Sequence, residues 1–327
     1  MTLRRVSYEE TLGYLRQHKG RKYPSREDLR MRGQMVFPLI DPTFCLEQGE
    51  AVFTIGSCFA RNIEEALVKL GMDVPSLAYT VPLSEAPGRT NRILNQYNAG
   101  TMSEIVKFTL SDGEIRGGVY QTSEGMYGDA LLSSAVLYPV TMERIIERRA
   151  EVVNLYRTGL QASTTVVITL GLVEAWFDLE DQVYLNDFPT RKIANDMPKR
   201  FELRRLGVEE NLTLLSGMLE QLTSDRKRNV ILTVSPVPFG STMVRDDAVI
   251  ANGYSKSVLR VVAEELAARY DFVDYFPSYE MVTSSGFQNY IKDQIHVRPE
   301  TVERVVAYMI ERYTSANDAS GVADATL

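Results

Sequence analysis

Four short apolar runs, rich in branched side chains and each closed by turn residues, constrain this 327-residue chain more than any other feature. They cover residues 51–55, 166–170, 230–234 and 272–276. Runs this short and this uniformly apolar suit strands covered on both faces. Helical spacing fills the intervals. Phe59, Ile63, Ala66, Leu67 and Leu70 recur every three to four positions with Gly71 as a stop, and Val208, Leu212, Leu215, Leu219 and Leu222 do the same before the third run. Residues 255–270 carry Val258, Val262 and Leu266, and residues 301–313 carry Val302, Val305, Val306 and Met309. Strands alternating with such helices need crossover connections, so the sequence predicts an α/β fold, a three-layer α/β/α sandwich around a mostly parallel sheet.

In such sheets the functional crevice lies beyond the carboxyl ends of the strands. Ser57, Gly171, Ser235-Pro236 and Pro277-Ser278 stand just past the four runs and are therefore expected to converge. Two stretches break the rhythm: residues 83–156, with a helical pattern over 141–156, and residues 178–206, rich in charge and aromatics. Both are expected as insertions over the active face, since connections this long are commonly lids or binding loops. Neither a repeat nor a composition break divides the chain. It reads as a basic arm over 1–36, one domain over 37–313 and a flexible tail over 314–327.

With 44% hydrophobic and 24% charged residues the chain can bury a substantial core, which excludes wholesale disorder. A net charge of −7 repels polyanions, so nucleic acid is not an expected partner. Locally the balance reverses: Arg4, Arg5, Arg16, Lys19, Arg21, Lys22, Arg26, Arg30 and Arg32 crowd the first 35 residues. They are expected to form a solvated, mobile arm, with contact to phosphate or an anionic surface as the alternative. No secretory pattern opens the chain and no apolar run approaches the roughly 20 residues that span a bilayer, so a cytoplasmic location without membrane insertion is expected. Cys45 and Cys58 make neither a disulfide framework nor a zinc pattern, and no metal or cofactor is expected. A homo-oligomer is left open.

Gly56-Ser57-Cys58-Phe59-Ala60 places a small hydroxyl on the corner between the first strand and its helix. The unpaired amides and positive dipole of a helix start can stabilise an oxyanion forming there. A serine nucleophile also needs a base, and the chain has two histidines. His18 lies in the basic arm; His296 follows Asp293 by three residues, a spacing that puts carboxylate and imidazole on one face so that one fixes the tautomer of the other. Ser57, Asp293 and His296 are thus the candidate catalytic residues. Cys58 is a competing nucleophile, one residue further into the helix and expected to be buried instead.

Thr54-Ile55-Gly56-Ser57-Cys58-Phe59-Ala60 resembles the motif that names the GSCFA domain family, a branch related to the SGNH/GDSL hydrolases. Further blocks follow in the family's order: Thr169-Leu170-Gly171-Leu172-Val173-Glu174-Ala175-Trp176, Leu232-Thr233-Val234-Ser235-Pro236-Val237-Pro238, Tyr254-Ser255-Lys256-Ser257, Asp274-Tyr275-Phe276-Pro277-Ser278-Tyr279-Glu280 and Asp293-Gln294-Ile295-His296. The resemblance covers residues 37–313 and implies a flavodoxin-like sandwich with an ester-directed serine mechanism. Ser57 matches its nucleophile, and Asp293 with His296 its Asp-x-x-His. One departure stands out. SGNH enzymes carry a Gly and a Gly-x-Asn as oxyanion donors, whereas this chain reads Gly171-Leu172-Val173-Glu174. Asn98, with the backbone of Ser57 and Gly171, is the substitute donor considered, and Glu174 and Trp176 are pocket candidates. The expected activity is hydrolysis of short acyl esters on a hydrophilic, carbohydrate-like substrate. The alternatives are an O-acyltransferase of glycan assembly using the same triad, and a catalytically silent glycan- or protein-binding module.

Overall fold

The computed structural model of the protein describes residues 5–18 and 20–314. In chain order it holds α1 (Tyr8–Gln17), the hairpin β1 (Met31–Arg32) and β2 (Met35–Val36), then β3 (Val52–Gly56) and α2 (Cys58–Lys69). Next come α3 (Ala99–Lys107), a second hairpin of β4 (Val119–Ser123) and β5 (Met126–Asp129), α4 (Met142–Ala162) and β6 (Thr165–Leu170). There follow β7 (Glu174–Asp178), β8 (Val183–Leu185), α5 (Arg191–Asp196), β9 (Phe201–Arg205) and α6 (Val208–Leu222). The chain then runs through β10 (Asn229–Val234), α7 (Ala248–Arg269), β11 (Val273–Tyr275), α8 (Ser278–Thr283) and α9 (Pro299–Tyr313).

The four apolar runs are β3, β6, β10 and β11, and they pair in parallel in the order β11-β10-β6-β3. Every residue of β3 and β6 is buried, which is why these runs show no polar alternation. Phe53, Ile55, Val166, Ile168, Leu170, Val230, Leu232 and Val234 join side chains of α3, α4, α6 and α7 in one apolar cluster. Val52, Val167 and Ile231 join Phe59, Ile63 and Leu67 of α2 and Val302, Val305 and Met309 of α9 in another. Successive strand residues thus enter opposite cores, and the α/β/α sandwich follows. Each fully buried aliphatic side chain contributes about 1.5–3 kcal/mol, so coverage from both faces, more than strand propensity, holds the sheet.

The stretch after β6 is more regular than its composition suggests. β8, β7 and β9 form a three-stranded antiparallel sheet in that order. Its strands do not read as apolar runs because charged side chains cover its aromatic rings: the Arg204 guanidinium lies 3.4 Å from the centre of the Phe177 ring. The other insertion crosses the carboxyl end of β3, where Gln96 N–H donates to the Gly56 carbonyl at 2.8 Å and Leu172 N–H to the Tyr97 carbonyl at 2.9 Å.

Residues 32–36, read as the end of a mobile arm, instead pack on α8 and α9, with Val36 N–H donating to Ser284 Oγ at 3.0 Å. Arg32 pairs with Glu311 at 2.9 Å, Arg304 donates to the Arg32 carbonyl at 2.5 Å, and Met35 is buried. Arg4 and Lys19 of the arm lie outside the described residues, as does the tail beyond Thr314, which itself bridges to Leu46. Among the described residues no helix is long and apolar enough to cross a membrane.

Candidate active site

Glycine precedes the serine because nothing larger fits. Gly56 has φ +141°, and a Cβ there would lie 2.3 Å from Thr169 Oγ1 and 2.4 Å from the Thr169 carbonyl oxygen. The close approach lets β3 turn sharply against β6. Ser57 then caps α2: its Oγ accepts from Phe59 N–H at 3.4 Å and lies 3.3 Å from Thr169 Oγ1, to which the Ser57 N–H donates at 3.1 Å. Cys58 is partly buried, and burial pushes its thiol above the usual range, which disfavours a thiolate.

A buried ion pair beneath the corner fixes α2 on the sheet. Arg61 and Glu64 meet at 2.7 Å, and Glu64 also accepts from Ser76 Oγ at 2.6 Å, from Asn91 Nδ2 at 3.3 Å and from the Thr54 hydroxyl of β3. With its carboxylate this fully bonded, the pair couples helix register to strand position.

Asp293 and His296 occupy an exposed turn closed by a bridge between Tyr290 and Val297. Asp293 Oδ1 accepts from the N–H groups of Ile295 at 2.8 Å and His296 at 2.9 Å, while Oδ2 lies 2.6 Å from His296 Nδ1. The imidazole bond and the two amides hold this carboxyl down at about 2. Among the described residues the second ring nitrogen, Nε2, has no hydrogen-bond partner. The turn belongs to the same edge of the sheet as Ser57, because Tyr290 donates its hydroxyl to the Pro236 carbonyl past β10 at 3.0 Å and Val297 shares an apolar cluster with Phe59. No hydrogen bond joins Ser57 to His296, so the serine and the Asp-His pair form two separate bonded groups at one edge.

The other sequence candidates divide. Gly171 walls Ser57: a Cβ there would lie 3.4 Å from Ser57 Cβ and 2.6 Å from the Tyr97 carbonyl oxygen. Asn98 caps α3, its Oδ1 accepting from Thr101 N–H at 3.0 Å and its Nδ2 donating to the Leu185 carbonyl at 3.3 Å. Its carbonyl oxygen and one of its two N–H groups are thus engaged. Glu174 anchors the loop after β10, accepting from Thr242 Oγ1 at 2.6 Å and Met243 N–H at 2.7 Å. Trp176 packs edge-on against Phe188 with ring centres 5.0 Å apart, and among the described residues its buried indole N–H has no partner.

Thr169, Tyr97 and Lys256 complete the surroundings of Ser57, and sequence reasoning gave none of them a role. The signal for Lys256 was its place on the buried stripe of α7 with Ser255, Val258, Leu259 and Val262. Its Nζ donates to the Gly171 carbonyl at 2.7 Å, and burial brings the amine down to about 7. Beside the Asp293 turn lies a cavity of about 440 Å³ walled by Phe239, Asn252, Tyr279, Phe287 and Tyr290.

A comparison with curated proteins found no match. The sequence profile of the GSCFA family, however, matches residues 51–309, a span that takes in the Ser57 corner, Lys256 and the Asp293–His296 turn, and the chain belongs to the GSCFA family.

Proposed function

We propose that the protein is a serine-dependent carboxylic ester hydrolase, related to the SGNH/GDSL hydrolases, that removes short acyl groups from a hydrophilic, carbohydrate-like substrate. The observation that carries this reading is an Asp293–His296 pair at 2.6 Å, with imidazole Nε2 uncommitted, at the strand edge where Ser57 caps a helix. Ser57 Oγ attacks the ester carbonyl as His296 Nε2 takes its proton. Asp293 keeps the other ring nitrogen protonated and stabilises the imidazolium. The alkoxide leaves with that proton, and water, activated by the same imidazole, frees the acyl group from Ser57. The turn bearing His296 closes on the hydroxyl when substrate is bound, since catalytic hydrogen bonds tighten in the complex.

The cavity beside the turn supports the substrate class, because aromatic faces from Phe239, Tyr279, Phe287 and Tyr290 with the polar Asn252 suit a sugar ring. The proposal places the protein in the cytoplasm, a compartment in which the unpaired Cys45 and Cys58 stay reduced. A fluorophosphonate probe tests the mechanism. Wild type is expected to label and Ser57→Ala to remain unlabelled while folded; a folded wild type that does not react sinks the reading. Product analysis with an acetyl ester, with and without a sugar acceptor, then separates hydrolysis from transfer.

A further inference from the structure

Acyl transfer through Ser57 generates a negative charge on the substrate's carbonyl oxygen, which must meet donors already in place. Two donors that could serve are at least partly engaged. The Ser57 N–H is bonded to Thr169 Oγ1, and the Asn98 amide to Leu185 and Thr101. Lys256 is differently placed. It is 2% exposed, and among the described residues its Nζ makes one hydrogen bond, to the Gly171 carbonyl, and no ion pair. An ammonium has three N–H groups, so two lack an acceptor. Protonating a buried amine with no anion beside it is costly, so the charged form of Lys256 lacks a counter-ion in the empty site.

The location is what gives this imbalance meaning. Gly171, whose carbonyl holds Nζ, abuts Ser57 Cβ, and Val173 N–H donates to Ser255 Oγ at 3.2 Å, so consecutive residues of α7 grip the turn beside the nucleophile. The ionisable neighbour that Lys256 feels is the Cys58 thiol, adjacent in sequence to Ser57.

Resting on the esterase reading, we infer that Lys256 Nζ is the principal oxyanion donor, the buried cation that receives the charge displaced when Ser57 attacks. As Ser57 Oγ bonds to the carbonyl carbon, the π pair moves to oxygen and the serine proton passes to His296 Nε2. The Lys256 ammonium donates a hydrogen bond to that oxygen and keeps its proton. On collapse the C=O bond re-forms, the ester alkoxide departs with the proton from His296, and Lys256 is unchanged. The working form is a Lys256 already protonated when substrate binds; burial penalises that cation in the empty site and the arriving oxyanion relieves the penalty, so its stabilisation is concentrated in the transition state.

The test compares wild type with Lys256→Met in hydrolysis of 4-nitrophenyl acetate and in fluorophosphonate labelling, with thermal unfolding as the check on folding. The expected result is a loss in kcat on the order of 100- to 1000-fold with KM little changed, and equally slowed labelling. In Lys256→Ala, added ethylammonium is expected to restore part of the kcat, which a purely structural lysine would not produce. If Lys256→Met does not fold, Lys256→Gln, which keeps a donor for the Gly171 carbonyl, carries the same comparison. A folded variant that labels and turns over like wild type, or that changes only KM, overturns the assignment of Lys256 and leaves Ser57 intact; a wild type that never labels overturns the esterase reading itself.

Discussion

Ser57 and His296 are held by different means. The serine is 3% exposed and its backbone is part of the core, pinned by Gly56 against Thr169 and by α2 over the Arg61–Glu64 pair. The histidine side chain is 56% exposed, and its position depends on one carboxylate that is itself 38% exposed. The contrast teaches that Ser57 is placed by folding, whereas His296 is placed by local hydrogen bonds that can move without disturbing the core. Substitutions around Ser57 should register in stability as well as in rate, and those around His296 in rate alone.

The largest effect is expected on the exposed side. Asp293→Asn removes the acceptor that selects the imidazole tautomer, and the equivalent change in a serine protease triad costs about 10⁴-fold in kcat. A loss of that order is expected here, with the melting temperature nearly unchanged. The pH behaviour sharpens the test. A carboxyl held down at about 2 by His296 and two amides contributes above the unfolded carboxylate range, and its contribution is lost as pH falls through about 2. Asp293 is therefore ionised throughout the range from about pH 5 to 9, so its own titration adds no pH dependence to wild-type activity there. A large fall in melting temperature in Asp293→Asn breaks the division between the two halves.

Gly56→Ala probes the buried side. A Cβ 2.3 Å from Thr169 Oγ1 and 2.4 Å from its carbonyl oxygen, at a φ that side chains rarely adopt, forces β3 away from β6. The cost is expected to be on the order of 3 kcal/mol or more. At about 2–4 °C per kcal/mol the melting temperature should fall by about 6–12 °C, measurable by calorimetry. A variant as stable as wild type shows that the corner tolerates a shift and that the serine is less firmly placed than the strand contacts imply.

The sheet was legible in the sequence for a plain physical reason. Val52, Val167 and Ile231 feed one core while their neighbours feed the other, so the strands appear as unbroken apolar runs. A small-residue corner and an Asp-x-x-His turn are local signals as well. What stayed hidden depends on contacts distant in sequence. β7 and β9 were obscured because Arg204 covers Phe177, and the first of the mobile-arm residues to pack, near Arg32, do so through Glu311 on the last helix. Lys256 looked like an ordinary helix lysine, since only the fold brings it 2.7 Å from the Gly171 carbonyl. Asn98 looked available because its amide's partner, the Leu185 carbonyl, lies 87 positions away.

Thr169→Val is the smallest and most discriminating change, because it preserves shape while deleting the hydroxyl between the core and the nucleophile. Thr169 Oγ1 accepts from the Ser57 N–H at 3.1 Å and lies 3.3 Å from Ser57 Oγ. Without it the buried amide loses its partner, at about 1–3 kcal/mol, and the melting temperature should fall by about 2–12 °C. The same amide becomes available to an oxyanion, which offsets any loosening of the serine. Fluorophosphonate labelling is therefore expected to change by less than about fivefold, the equivalent of about 1 kcal/mol. A loss approaching that of Asp293→Asn would mean that the threonine hydroxyl takes part in activating Ser57, and the buried half would then supply chemistry as well as position.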